Sequence, residues 1–134
     1  MAGVVVAENR KGRYQQAVTV GQHQLIADEP LEVGGGDAGP EPFDYVMAGL
    51  GACTSMTLRM YAERREIALT HVSVSLSHEK VTIEGVSRDR IERTITLEGS
   101  LTEEQRQRLL EIANKCPVHR ALSQSLIIES ALAT

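Results

Sequence analysis

The chain has 134 residues, the length of one ordinary domain and enough to bury a core. A composition of 42% hydrophobic and 24% charged residues is that of a soluble globular protein and excludes a disordered one. The net charge of −4 argues against nucleic acid as a partner, because phosphate binding wants a basic surface.

The N-terminus, Met1 to Val6, is apolar for only a few residues and lacks the basic start of a signal peptide. No segment approaches the ~20 apolar residues of a membrane span, so no membrane partner is expected and the cytoplasm is the expected compartment. A reducing compartment disfavours a permanent disulfide and leaves Cys53 and Cys116 as free thiols or as a catalytic pair. Arg59, Arg64, Arg65 and the arginines of residues 88–93 are interleaved with acids and read as solvated faces. With no Trp, one Phe and three Tyr, the core rests on aliphatic residues, and a small core of that kind is often completed by dimerisation.

In chain order, Val4–Ala7, residues 16–20 and residues 24–27 read as strands, the last two joined as a hairpin around Gly21-Gln22. Glu32 to Pro42, with Gly34-Gly35-Gly36, Gly39 and two prolines, reads as a loop without regular structure. No Gly-Lys-Ser/Thr follows it, so it is not a phosphate-binding loop. Phe43 to about Arg65 reads as a helix, with Val46, Leu50, Cys53, Thr57 and Met60 or Tyr61 along one face. Pro42 suits its first turn, and Asp44 complements the positive helix end. Ala48, Gly49, Gly51, Ala52 and Ser55 predict close approach of another backbone and a central helix buried on most sides.

Val72, Val74, Leu76 and His78 alternate with Ser73, Ser75 and Ser77, the pattern of a half-buried strand. Ile91, Ile95 and Leu97 continue it after a turn near Gly85. Thr102 caps the next helix with Gln105 at the capping-box position, and Leu101, Leu109, Leu110, Ile112 and Ala113 form its stripe. A short helix is expected from Pro117, then a last strand over Leu126–Glu129. The order β-β-β-α-β-β-α-α-β predicts a single-domain α+β fold with a mostly antiparallel sheet.

A cysteine reacts as its thiolate, so something local must stabilise the anion. Cys53 lies about three turns inside its helix, beyond the reach of the macrodipole, and needs an arginine from elsewhere. Arg10 and Arg13, in Arg10-Lys11-Gly12-Arg13, are the candidates. Pro117 disfavours helical geometry at Cys116, which places Cys116 at the cap of a new helix, facing unpaired backbone N–H groups. By this reasoning Cys116 is the more readily ionised thiol. The competing reading is two inert core thiols, since free cysteine packs as a small hydrophobe.

The segment Pro42-Phe43-Asp44-Tyr45-Val46-Met47-Ala48-Gly49-Leu50-Gly51-Ala52-Cys53-Thr54-Ser55-Met56, followed by Cys116-Pro117-Val118-His119-Arg120-Ala121-Leu122, resembles the OsmC/Ohr family, over nearly the whole chain. The wording around Cys53 and Leu25–Pro30 most resembles its YhfA-like branch. The resemblance implies an intertwined homodimer with sheet wrapped around two long central helices. It also implies a cofactor-independent, thiol-dependent peroxidase for small organic hydroperoxides. By that analogy Cys53 attacks the peroxide and becomes a sulfenic acid, Cys116 resolves it to a disulfide, and a dithiol reductant such as a lipoylated protein restores both thiols. The family's arginine maps to Arg10, with Arg13 as alternate. Phe43 occupies the place of the family's glutamate and Asp44 follows one step later, turned by about 100° on the helix. Phe43, Met47, Met56 and His119 are the candidates for lining the substrate.

No close Cys-x-x-Cys or His-x-x-x-His supports a zinc site built from Cys53, Cys116 and His119 with His71 or His78, so no metal is expected. No Ser-His-Asp arrangement emerges from Ser73, Ser75 and Ser77. A reading of another class is a non-catalytic dimeric module that binds a small apolar ligand, its thiols inert.

Overall fold

The computed structural model describes residues 3–133; Met1 and Ala2, which open the apolar N-terminal run, and Thr134 lie outside the described residues. The chain forms two compact units that meet in sequence at Val46 and Met47. Among the described residues the fold is mixed α+β, with two antiparallel sheets and three α-helices.

The first unit carries β1 (Val4–Glu8), β2 (Gln16–Val20) and β3 (His23–Ala27) as an antiparallel meander. Val20 pairs with His23 across the hairpin at Gly21-Gln22, and Val4 pairs with Val20 on the other edge. The sheet is followed by a loop held by Asp28. This carboxylate, only 3% exposed, accepts hydrogen bonds from the N–H groups of Glu29, Gly36 and Ala38. Those donors, Ala38 first, hold its pKa below the usual carboxylate value despite burial. Contrary to the expectation for Glu32–Pro42, the loop is not wholly irregular: Leu31–Val33 make one 3-10 turn, closed by Gly34 in the left-handed region. A single such turn needs little sequence signal, because only one i to i+3 bond must form. The unit ends in the first turn of α1 (Pro42–Arg64), where Asp44 accepts the Glu41 N–H and the Tyr45 hydroxyl donates to the Ile26 carbonyl at 2.6 Å.

The second unit packs the rest of α1 against a long ribbon of β4 (Leu69–Ile83) and β5 (Val86–Gly99) and against α2 (Glu103–Ala113). Glu84 and Gly85, both at positive φ, form the two-residue turn whose hand matches the strand twist. Val72, Val74, Leu76 and His78 alternate inward as predicted, facing their partners on β5. The core is Leu58, Tyr61 and Ala62 of α1 with Leu69, Leu109 and Ala113, flanked by Val72, Ile95 and Leu97. Arg108 closes one side, its Nε donating to the Tyr61 hydroxyl at 3.1 Å. At Gly51 α1 and the ribbon approach tightly, since a Cβ there would stand 2.9 Å from Leu76 Cδ1. Thr102 and Gln105 form the full capping box of α2, and Cys116 caps α3 (Pro117–Ser123), both as the sequence predicts.

Three expectations fail, the first only in part. The buried face of α1 carries Leu50 and Tyr61 of the expected stripe, but between them Thr54 and Leu58 are buried in place of Cys53 and Thr57. Apolar and small residues recur on both faces of this helix, so three- and four-residue spacing alone does not choose between them. In consequence α1 is not buried on most sides: Met56 and Met60 are exposed, and nothing lies within 4 Å of a Cβ placed on Gly49. Leu126–Glu129 form no strand, and Ile127 and Ile128 are more than four-fifths exposed. A β-rich run becomes a strand only where an edge pairs with it, and among the described residues it has none.

The Leu58 side chain has no solvent exposure, so Leu58→Ala is expected to lower unfolding stability by roughly 2–5 kcal/mol. Thr102→Ala, which removes the capping box, is expected to lower it by about 1 kcal/mol. Urea denaturation of the two variants checks the order; equal losses contradict this core.

Candidate thiol site

Cys116 is set by two backbone constraints. Asn114 and Lys115 close the end of α2, and Pro117 holds Cys116 in an extended conformation (φ −64°, ψ 143°) as the cap of α3. Its sulfur accepts the His119 N–H at 3.3 Å, a bond to the open end of the new helix. The residue has no solvent exposure. Its sulfur meets α1 at Thr54, whose hydroxyl oxygen is 4.0 Å away. Cys53, the residue before Thr54, is half-buried, with its sulfur 4.0 Å from the Thr57 hydroxyl one turn on. Both cysteines are free thiols.

Thr54 is the hinge of this arrangement. Its hydroxyl has one proton, which the 2.7 Å contact to the Leu50 carbonyl uses, and its oxygen accepts Arg93 Nη1–H at 2.9 Å. Arg93 Nη1 also donates to the Ala113 carbonyl at 3.3 Å, and Nη2 donates to Asn114 Oδ1 at 2.8 Å. One guanidinium thus links β5, the middle of α1 and the end of α2 beside the Cys116 cap. Among the described residues no carboxylate pairs with it. The expectation that the arginines of residues 88–93 form a solvated face therefore fails at Arg93, which is half-buried while Arg88 and Arg90 are exposed. Strand alternation is the reason: Arg93 shares the inward parity of Ile91, Ile95 and Leu97. A charge at that parity was the available signal for it.

His119 is half-buried in the first turn of α3. Burial, and secondly the Arg93 charge, push its pKa below the usual histidine value. Arg10, Arg13, Phe43 and Asp44 belong to the first unit. There Arg10 sits at φ 62°, Arg13 stacks over the Tyr14 ring at 4.9 Å, Phe43 lies in the first turn of α1, and Asp44 caps Glu41. Met47 is half-buried, while Met56 lines an open depression of about 390 Å³ with Ser55, Arg59, Met60, His71 and Val72. The structure therefore brings Cys116 and His119 together and adds Thr54 and Arg93, which sequence reasoning had not singled out. Among the described residues no three His, Cys, Asp or Glu side chains converge as a metal set, and no helix is long and apolar enough to cross a membrane.

The family model described as OsmC-like protein matches residues 34–131. Comparison with curated proteins gives no match. Solved structures share the fold. An OsmC-like protein from Mycoplasma pneumoniae superposes with a TM-score of 0.77 at 18% identity, over 92% of this chain and 87% of that one. An organic hydroperoxide resistance protein from Elizabethkingia anophelis gives 0.70 at 24% identity, over 90% and 86%. An organic hydroperoxide resistance protein from Legionella pneumophila gives 0.70 at 22% identity, over 91% and 88%.

Because its folded value is depressed, His119 stabilises the fold in its neutral form above the unfolded value near 6.5, and that contribution is lost as the pH falls below it. An NMR titration is expected to place the His119 midpoint below that of an ordinary histidine. Arg93→Gln is expected to raise it only part of the way, because burial is the larger cause. A wild-type midpoint at or above the ordinary value contradicts the packing of α3.

Proposed function

The chain belongs to the OsmC-like protein family, and from that premise we propose that it is a thiol-dependent peroxidase that reduces organic hydroperoxides through Cys53 and Cys116. One observation carries the reading: the Cys116 sulfur, held at a helix cap by the His119 N–H, abuts α1 at the residue next to Cys53. Cys53 is half-buried and so keeps some access to a substrate, whereas Cys116 is buried. That division of access favours Cys53 as the attacking group, although its helix position gives it no cap.

In the first step the Cys53 thiolate attacks the outer peroxide oxygen. The O–O bond breaks, the sulfur becomes a sulfenic acid, and the alkoxide takes a proton to leave as an alcohol. In the second, the Cys116 thiolate attacks the sulfur of the Cys53 sulfenic acid, forming the disulfide as hydroxide leaves and is protonated to water. A dithiol, such as the dihydrolipoyl group of a lipoylated protein, then reduces the disulfide and is itself oxidised. No cofactor is needed in this cycle. Arg10, or Arg13, with Asp44 would complete the Cys53 environment, and Phe43, Met47, Met56 and His119 would line the substrate.

The exposed face of α1, with Ala48, Ala52, Met56 and Met60 and open space at Gly49, supports a homodimer in which this helix packs on a second copy. The two units would then act as one domain, working in the cytoplasm. Two proteins of the same fold are named for organic hydroperoxide resistance, which agrees with the proposed substrate class.

Cys53→Ser is expected to abolish turnover of tert-butyl hydroperoxide with a dithiol reductant. Cys116→Ser is expected to stop at a Cys53 sulfenate that dimedone traps and mass spectrometry detects. Full turnover by Cys53→Ser sinks the reading. Thiols inert to hydroperoxide, with an apolar ligand carried through purification, establish a binding module instead.

A further inference from the structure

We propose that Arg93 is the positioning residue of the resolving step, its guanidinium holding Thr54 against Cys116 and serving as the countercharge of the Cys116 sulfur when that sulfur attacks. This assignment rests on the pairing of Cys53 with Cys116 proposed above, not on the peroxide itself.

Three observations meet at this residue. First, Arg93 occupies an inward position of β5 where its neighbours of the same parity are Ile91, Ile95 and Leu97. Withdrawing a charge from water at such a place is costly unless something needs it there. Second, among the described residues its hydrogen-bond partners are all neutral: the Thr54 hydroxyl, the Ala113 carbonyl and the Asn114 side chain. A neutral donor would satisfy three neutral acceptors, so hydrogen bonding alone does not call for a cation. Third, the group these contacts surround is one that becomes an anion. The Cys116 sulfur lies 4.0 Å from the same Thr54 oxygen that Arg93 holds, and the charge of Arg93 is felt at His119, whose N–H the sulfur accepts.

The geometry suits both states of the thiol. With the Thr54 proton on the Leu50 carbonyl, the Thr54 oxygen accepts from Arg93 and from the Cys116 S–H. Once the sulfur is deprotonated, the Thr54 hydroxyl can turn its proton from the Leu50 carbonyl to the sulfur while Arg93 still holds the oxygen. The positive charge then faces the negative sulfur across one hydroxyl. As Cys116 attacks, its electron pair forms the S–S bond and the leaving group carries the charge away, so Arg93 acts without touching the substrate.

The step can be read without peroxide. Reduced protein is mixed with dithiodipyridine: the half-buried Cys53 takes up a thiopyridyl group and releases the first thiopyridone. Cys116 then displaces the second thiopyridone as the Cys53–Cys116 disulfide forms. Arg93→Gln keeps an N–H donor but removes the charge. It is expected to slow the second phase about tenfold or more, the effect of one countercharge in a partly screened site, with the first phase within about twofold. Arg93→Lys is expected to recover most of the second rate. Asn114→Asp provides an independent variant, because a carboxylate against Nη2 neutralises Arg93 while keeping its hydrogen bond; it is expected to slow the same phase. A second phase unchanged in both Arg93→Gln and Asn114→Asp overturns the proposal. So does equal slowing by Gln and Lys, which makes the role one of shape. Arg93 dependence in a protein that fails to turn over hydroperoxide removes the peroxidase reading alone. Turnover without Arg93 dependence removes this proposal alone.

Discussion

The second unit is organised around one contact patch between α1 and the β4–β5 ribbon. Leu76 and Arg93 are register partners across the ribbon. Leu76 presses on Gly51 and Arg93 bonds Thr54, three residues further along α1. A single cross-strand pair therefore grips one turn of the helix, with an apolar side chain at one point and a charged one at the other. The tight approach at Gly51 brings the guanidinium within reach of Thr54. The end of α2 and the cap of α3 are in turn tied to that guanidinium through Ala113 and Asn114. A larger side chain at Gly51 would have to displace the end of the Leu76 side chain.

The Cys116 thiol lies on the same patch. A helix cap provides one N–H to the Cys116 sulfur, and the contact with Thr54 places that sulfur against the helix that bears Cys53. Neither feature depends on a cleft or on a bound group. The fold reaches it by stopping one helix and starting another at a Cys-Pro step, so the dipeptide fixes the backbone and the sulfur environment together.

Much of this was legible in the sequence because it is local. The capping box at Thr102, the hairpin at Gly21-Gln22, the serine-alternated strand and the Cys-Pro cap each follow from residues within a few positions of one another. What was not legible is long-range. Whether Cys53 or Thr54 faces the core is a choice between two adjacent stripes, made by what packs on α1. Whether Leu126–Glu129 pairs depends on an edge that these residues do not carry. Arg93 lies between: its inward parity was visible beside Ile91 and Ile95, but its neighbouring charges made it look like part of a solvated run. The partners Thr54 and Asn114 are far from it in sequence, and no pattern announces them.

The complete burial of Cys116 also bears on damage. Oxidation beyond the sulfenic acid consumes further oxidant at the same sulfur and is largely irreversible. A thiol with no surface of its own meets an oxidant only after its neighbours have moved aside, whereas Cys53 keeps an opening. Lasting injury to this pair is thus directed to one sulfur, and the sealed one remains a thiol for as long as the helix cap around it stays closed.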